Sequence, residues 1–129
     1  MQLRLLADLF GVMKLTPPQT FPTWLSGADI FFLAQTEDEY SIMCPQRHIP
    51  DGMSYNAGYR CMRVDGNLAF DEIGVVARVS KPLADAGLSL FVISTHDRDY
   101  VLVHQDNLAA AVKTYQTSGF DMIFDVSAP

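Results

Sequence analysis

The chain has 129 residues, 49% of them hydrophobic and 19% charged, which excludes wholesale disorder and leaves length enough to bury a sizeable core. Nine basic residues stand against fifteen acidic ones, a net charge of −6 with no run of Lys or Arg, so phosphate backbones and anionic membrane surfaces are poor partners. No apolar run is long enough to span a bilayer, and the apolar start of the chain is broken by Arg4, Asp8 and Lys14 with no small-residue cleavage site behind it; the expectation is a cytoplasmic protein.

Residues 3–15 carry two patterns at once. As a strand, Leu3, Leu5, Ala7, Leu9, Gly11, Met13 and Leu15 share one face; as a helix, Arg4, Asp8, Gly11 and Lys14 form one polar stripe, weakened by the glycine. Pro17, Pro18 and Pro22 end either ladder, and residues 23–26 suit one helical turn. Residues 29–35 and 39–44 are short apolar runs around the polar Thr36, Glu37 and Asp38, a hairpin signal. A loop over 45–52 follows, then residues 53–57 without a usable period. Residues 59–68 alternate weakly as a strand, with a turn or bulge at Asp65 and Gly66.

The next stretch is the most ordered in pattern. Asp71 is placed to cap a helix, because its carboxylate can accept from the unpaired N–H groups of a first turn. Val76, Val79, Leu83 and Ala86 recur at helical spacing, with Arg78, Lys81 and Asp85 opposite them. Gly87 supplies the stop, and Pro82 inside the pattern predicts a kink or a late irregular turn. Residues 88–95 and 99–104 then form two strands around the turn His96, Asp97, Arg98. Asp106 or Asn107 caps a second helix carrying Leu108, Ala111, Val112 and Tyr115, which Gly119 ends. Residues 120–126 alternate as a closing strand. Residues 59–126 therefore read β-α-β-β-α-β, the ferredoxin-like split βαβ arrangement of an α+β protein.

Three pieces in this order carry a resemblance. Glu72-Ile-Gly74-Val-Val-Ala, then Leu83-Ala-Asp-Ala-Gly87-Leu-Ser-Leu-Phe, then Ser94-Thr95 with Asp99-Tyr-Val-Leu-Val103 four residues on resemble the second half of ACT-type amino-acid-binding domains. Such domains occur in aspartate kinases, in the cytosolic arginine sensors of animals and in small stand-alone bacterial proteins. The resemblance implies a strand over 3–15 and a regulatory ligand-binding module rather than an enzyme, without a cofactor. It also lets residues 1–57 (strand, irregular segment, hairpin, loop) be read as a helix-poor, degenerate ACT-like half in tandem with an ACT domain over 58–129. Family members commonly pair sheet edges, so a homodimer through residues 88–94, with Phe91 and Ile93 on one face, is the implied assembly.

An amino-acid ligand needs its carboxylate and its ammonium matched together. Ile73, Gly74 and Val75 sit where a helix start offers unpaired N–H groups to an anion. In the family this segment lines the ligand cleft. Asp71, Glu72, Asp97 and Asp99 are candidates for the cationic end, with Ser94 and Thr95 as hydroxyl donors. Asp99 matches the acidic residue that helps hold the ligand's basic end in the arginine sensors. Each residue also has a plainer role: Asp71 as a cap, Gly74 as a packing glycine, residues 97–99 as an ordinary charged turn. Catalysis finds no support, since His48, His96, His104, Cys44 and Cys61 are scattered and no metal spacing, nucleophile motif or phosphate loop occurs. Cys44 and Cys61 are expected to be buried reduced thiols. The alternative to an amino-acid sensor is a structural or partner-binding ACT-like module with no ligand. Neither nucleic acid nor membrane is an expected partner.

Overall fold

The computed structural model describes residues 1–66 and 73–125. They form two compact units, one of Met1–Ala7 with Arg60–Pro129 and one of Asp8–Tyr59. A single 14-residue strand, β1 (Gln2–Leu15), contributes to both. The strand pattern of residues 3–15 thus prevails over the helical one, with Leu3, Leu5, Gly11 and Met13 of the predicted face buried, whereas Ala7 is exposed and Phe10 is buried out of phase.

The smaller unit holds the second part of β1, the strands β2 (Phe32–Gln35) and β3 (Tyr40–Pro45), and two single 3₁₀ turns at Thr23–Leu25 and Gln46–His48. Its sheet order is β2-β3-β1. The β2–β3 hairpin is antiparallel, Phe32 opposite Met43 and Gln35 opposite Tyr40, closed by the Thr36 and Glu39 backbones at 2.9 Å. Strand β1 runs antiparallel to β3 from Phe10↔Pro45 to Leu15↔Tyr40. Met13, Leu25, Tyr40, Ile42, Cys44 and Ile49 make its core.

The larger unit contains β4 (Asn56–Asp65, from Arg60 on), helix α1 (Val75–Asp85), β5 (Phe91–Ser94), β6 (Asp99–His104), helix α2 (Leu108–Thr117) and β7 (Asp121–Phe124), with the first part of β1. Strands β5 and β6 pair antiparallel, from Phe91↔Leu102 to Ser94↔Asp99. The helices and hairpin follow the predicted order, but the sheet departs from a plain β-α-β-β-α-β unit. Its order is β5-β6-β4-β1, and β7 lies parallel on β1 with Gln2↔Asp121 to Leu5↔Phe124. The chain's first strand is inserted beside the last. The physical reason is burial: Leu3 and Leu5 are fully buried, and β1 satisfies its backbone groups from strands on both sides. No helix among the described residues is long and apolar enough to cross a membrane.

Helix α1 starts later than its sequence pattern suggests. The N-cap position is Gly74, in the left-handed region at φ 85° and with no side-chain cap, whereas Asp71 lies outside the described residues. With that start, Val75, Val79 and Leu83 form the buried stripe and Val76 is 46% exposed. Pro82 stands inside the helix, three residues before its end, and brings no N–H to the Arg78 carbonyl one turn back. Gly87 at φ 75° then takes the left-handed stop. A 3₁₀ turn at Gln105–Asn107 leads into α2, whose N-cap position is Asn107, without a side-chain cap; the His104 imidazole accepts from the Asp106 N–H at 3.2 Å instead. Tyr115 of α2 is fully buried and its hydroxyl donates to the Val79 carbonyl of α1 at 2.6 Å, joining the two helices.

Candidate functional site

Strand alternation separates a group of charged side chains of the larger unit from its core. Leu3 and Leu5 of β1, Met62 and Val64 of β4, and Val101 and Val103 of β6 point into the helix-covered core. Arg4, Arg63 and Asp65, at the intervening positions, therefore share the opposite face. Between β5 and β6 the chain turns at residues 95–98. The turn is closed by the Thr95 N–H to the Arg98 carbonyl at 2.8 Å and by the Thr95 hydroxyl, which donates to that carbonyl and accepts from the Arg98 N–H, each at 3.1 Å.

The predicted residues fall into two groups. Ser94, Thr95, Asp97 and Asp99 are brought together at the hairpin tip. There the Ser94 hydroxyl donates to Asp99 Oδ1 at 2.5 Å, and His96 Nδ1 lies 2.6 Å from Asp97 Oδ1. Ile73, Gly74 and Val75 form the second group at the start of α1. Ile73 is 91% exposed, whereas the Val75 side chain is turned into the core, so that only its backbone could meet a ligand. The Gly74 carbonyl already accepts from the Arg78 N–H at 2.9 Å. Asp71 and Glu72, the remaining predicted residues, lie outside the described residues.

An ionic cluster that pattern reading did not find lies beside the tip. Asp65, the last residue of β4, is 9% exposed and receives three guanidinium groups. Arg63 Nε and Nη2 donate to its two oxygens at 2.6 and 3.1 Å, Arg4 Nε donates at 3.1 Å, and Arg98 Nη1 donates at 2.9 Å. Arg4 also reaches Asp125 at 2.9 Å. Only the Arg63-x-Asp65 spacing is a local signal, since two residues apart on a strand means one face; Arg4 comes from another strand and Arg98 from the β5–β6 turn. The Arg63 hydrogen bonds, with lesser help from Arg4, hold the Asp65 carboxyl below the usual carboxylate range, and partial burial opposes them.

That depression sets a pH dependence. The proton binds the unfolded chain more readily than the folded one, so the stabilisation is fully present above the unfolded-state pKa of about 3.9 and is lost as pH falls through the lower folded-state value. The expected result is a melting temperature that declines below about pH 4, with a shallower decline in Asp65→Asn. Equal slopes in the two proteins would show that Asp65 contributes nothing to acid unfolding.

A groove of about 540 Å³ lies elsewhere, on the flank of α1, lined by Ala77, Arg78, Lys81, Pro82, Ser118 and Phe120 among others. None of the predicted ligand residues lines it. Cys44 and Cys61 are fully buried and free, and burial pushes their thiols up to about 11 and about 12, which leaves them protonated and unreactive near neutrality. Among the described residues no three His, Cys, Asp or Glu side chains gather as a metal site.

A sequence model of the ACT domain matches residues 54–116, and a second model, of an N-terminal domain, matches residues 8–52. The human cytosolic arginine sensor for mTORC1 subunit 1 is 39% identical over 59 residues, a stretch that covers 45% of this chain and 18% of the sensor. The crystal structure of the Agobacterium tumefaciens protein Atu0741 superimposes with a TM-score of 0.90 at 30% identity, covering 99% of this chain and 96% of that one. The ligand-free regulatory subunit of aspartate kinase from Thermus thermophilus shares the fold at 10% identity, with a TM-score of 0.64 over 92% of this chain and 98% of that subunit.

Proposed function

This chain belongs to the ACT-domain family, and on that premise we propose that it is a regulatory module that binds an amino acid or a similar small metabolite. The observation that carries the reading is the hairpin tip, where Ser94, Thr95, Asp97 and Asp99 converge within one turn of a chain that carries an ACT domain. Two carboxylates at an exposed tip attract an ammonium or guanidinium group. The first turn of α1, entered through the left-handed Gly74, offers backbone N–H groups to a carboxylate. The similarity to a cytosolic arginine sensor makes L-arginine the first ligand to test. Nothing in this reading requires chemistry at the site.

Self-association is part of the proposal. Strand β5 stands at the end of the sheet order with Phe91 39% exposed beside half-buried Val92 and Ile93. Among the described residues β5 ends the sheet order, and a sheet edge is relieved when a second copy pairs with it. If no metabolite binds, this edge supports the alternative, an ACT module that acts through a protein partner alone.

The test is a thermal-shift series against the twenty amino acids at matched ionic strength. A ligand at a hundredfold excess over its dissociation constant adds about 2.7 kcal/mol to the folded state. The expected outcome is a shift with one amino acid or a few related ones, reduced in Asp99→Ala by about tenfold in affinity, the scale of one exposed charge-assisted contact. Absence of any shift across the series refutes the sensor reading.

A further inference from the structure

We propose that Asp65 is a positioning residue of the ligand site: it holds the Arg98 guanidinium on the sheet and away from Asp97 and Asp99, which leaves those two carboxylates to a cationic group. The inference rests on the sensor reading given above and adds to it a residue from a different strand.

Arg98 lies in sequence between Asp97 and Asp99, the two carboxylates that would meet the ligand's basic end. A loose guanidinium there would neutralise them and compete with any cation. The side chain instead reaches Asp65 at 2.9 Å, and no ion pair among the described residues joins it to Asp97 or Asp99. Those two carboxylates have partners of their own within the turn, Asp99 the Ser94 hydroxyl and Asp97 the His96 imidazole.

Asp65 is suited to the task by its saturation. Oδ1 accepts from Arg63 Nε and Arg98 Nη1, and Oδ2 from Arg4 Nε and Arg63 Nη2, so the four acceptor positions of the carboxylate are all taken. An amide at this position would accept on one oxygen and turn an NH₂ toward guanidinium donors. One arginine must then let go. Arg98 is the most exposed of the three, its side chain 44% exposed against 32% for Arg4 and 29% for Arg63, and it is the one carried on a turn rather than within a strand.

The experiment compares wild type, Asp65→Asn, Arg98→Gln and the double variant by two readouts. The first is calorimetric titration with L-arginine and with its neutral isostere citrulline. Asp65→Asn is expected to weaken L-arginine about tenfold and citrulline hardly at all, Arg98→Gln to stay within about threefold of wild type, and the double variant to recover the Arg98→Gln affinity. Such a recovery identifies the freed cation as the cause. Equal loss for both ligands, or a double variant weaker than either single one, means that Asp65 only supports the fold, and overturns the proposal. The second readout is amide hydrogen exchange at Thr95–Arg98 without ligand, where loss of the tether is expected to accelerate exchange in both Asp65→Asn and Arg98→Gln. Arg98→Gln leaves Asp65 paired with Arg4 and Arg63, so it reports on the tether even if Asp65→Asn fails to fold. Unchanged exchange in Arg98→Gln overturns the proposal whatever binds. Accelerated exchange in a protein whose wild type binds no amino acid refutes the sensor reading while establishing the tether.

Discussion

Replacing Tyr115 by alanine will destabilise the protein by about 3–5 kcal/mol, the largest loss expected from a single side chain here. The residue is fully buried, and its ring meets Phe120 edge-on with centroids 5.0 Å apart. Its hydroxyl donates to the Val79 carbonyl at 2.6 Å. Burial drives the phenol pKa well above its usual value, so the group stays a neutral donor throughout the physiological range. Two contributions are therefore separable. Tyr115→Phe keeps the ring and loses only the hydrogen bond, for about 1 kcal/mol, whereas Tyr115→Ala empties the space between α1 and the end of α2. Urea denaturation of both variants checks the split. A phenylalanine variant as unstable as the alanine one would show that the hydrogen bond, not the packed ring, holds the helices together.

The second large effect lies in the other unit. Gly11 is buried in β1, and a Cβ added there would lie 2.6 Å from Ile49 Cδ1 and 2.7 Å from Tyr55 Cδ2. The end of the isoleucine can swing aside, but the tyrosine ring is flat and half-buried and must move as a body. Gly11→Ala is expected to cost about 1–3 kcal/mol, as overpacking usually does. The sign is informative, because a glycine in an ordinary strand position is itself destabilising by roughly 0.5–1 kcal/mol relative to alanine. Thermal melts of Gly11→Ala with and without Tyr55→Ala decide the cause. Close approach of the ring predicts that the second substitution masks the first, and a Gly11→Ala variant more stable than wild type would dismiss the clash.

The contrast between these residues runs through the whole chain. Gly11 reads from the sequence both as a place on the apolar face of a strand and as a weakness in a possible helix. Why a glycine stands there is set by Ile49 and Tyr55, some forty residues away. Likewise the stripe on α1 was legible, yet its phase was not. Val76 looked like a core residue, but the late start at Gly74 brings Val75 inward and leaves Val76 exposed. Asp97 and Asp99 could be placed on one tip because a hairpin turn is a local event. Asp65 could not be recognised as the anchor of that tip, since two of its three arginines, one on a strand and one on a turn, stand 61 and 33 residues away.

By itself the sequence determined what short-range physics determines: the two hairpins, the two amphipathic helices, the glycine stops at Gly87 and Gly119, and the motif order that marks an ACT domain. Periodicity and glycine conformation act within a few residues, so they can be read from a few residues. Only the tertiary structure decided that β1 lies between β4 and β7, that α1 begins at Gly74, and that Arg4, Arg63 and Arg98 converge on Asp65. Each of those depends on which strands pair and in what register. That choice is made by the burial of whole faces and the satisfaction of backbone groups across the sheet, and not by any stretch of chain on its own.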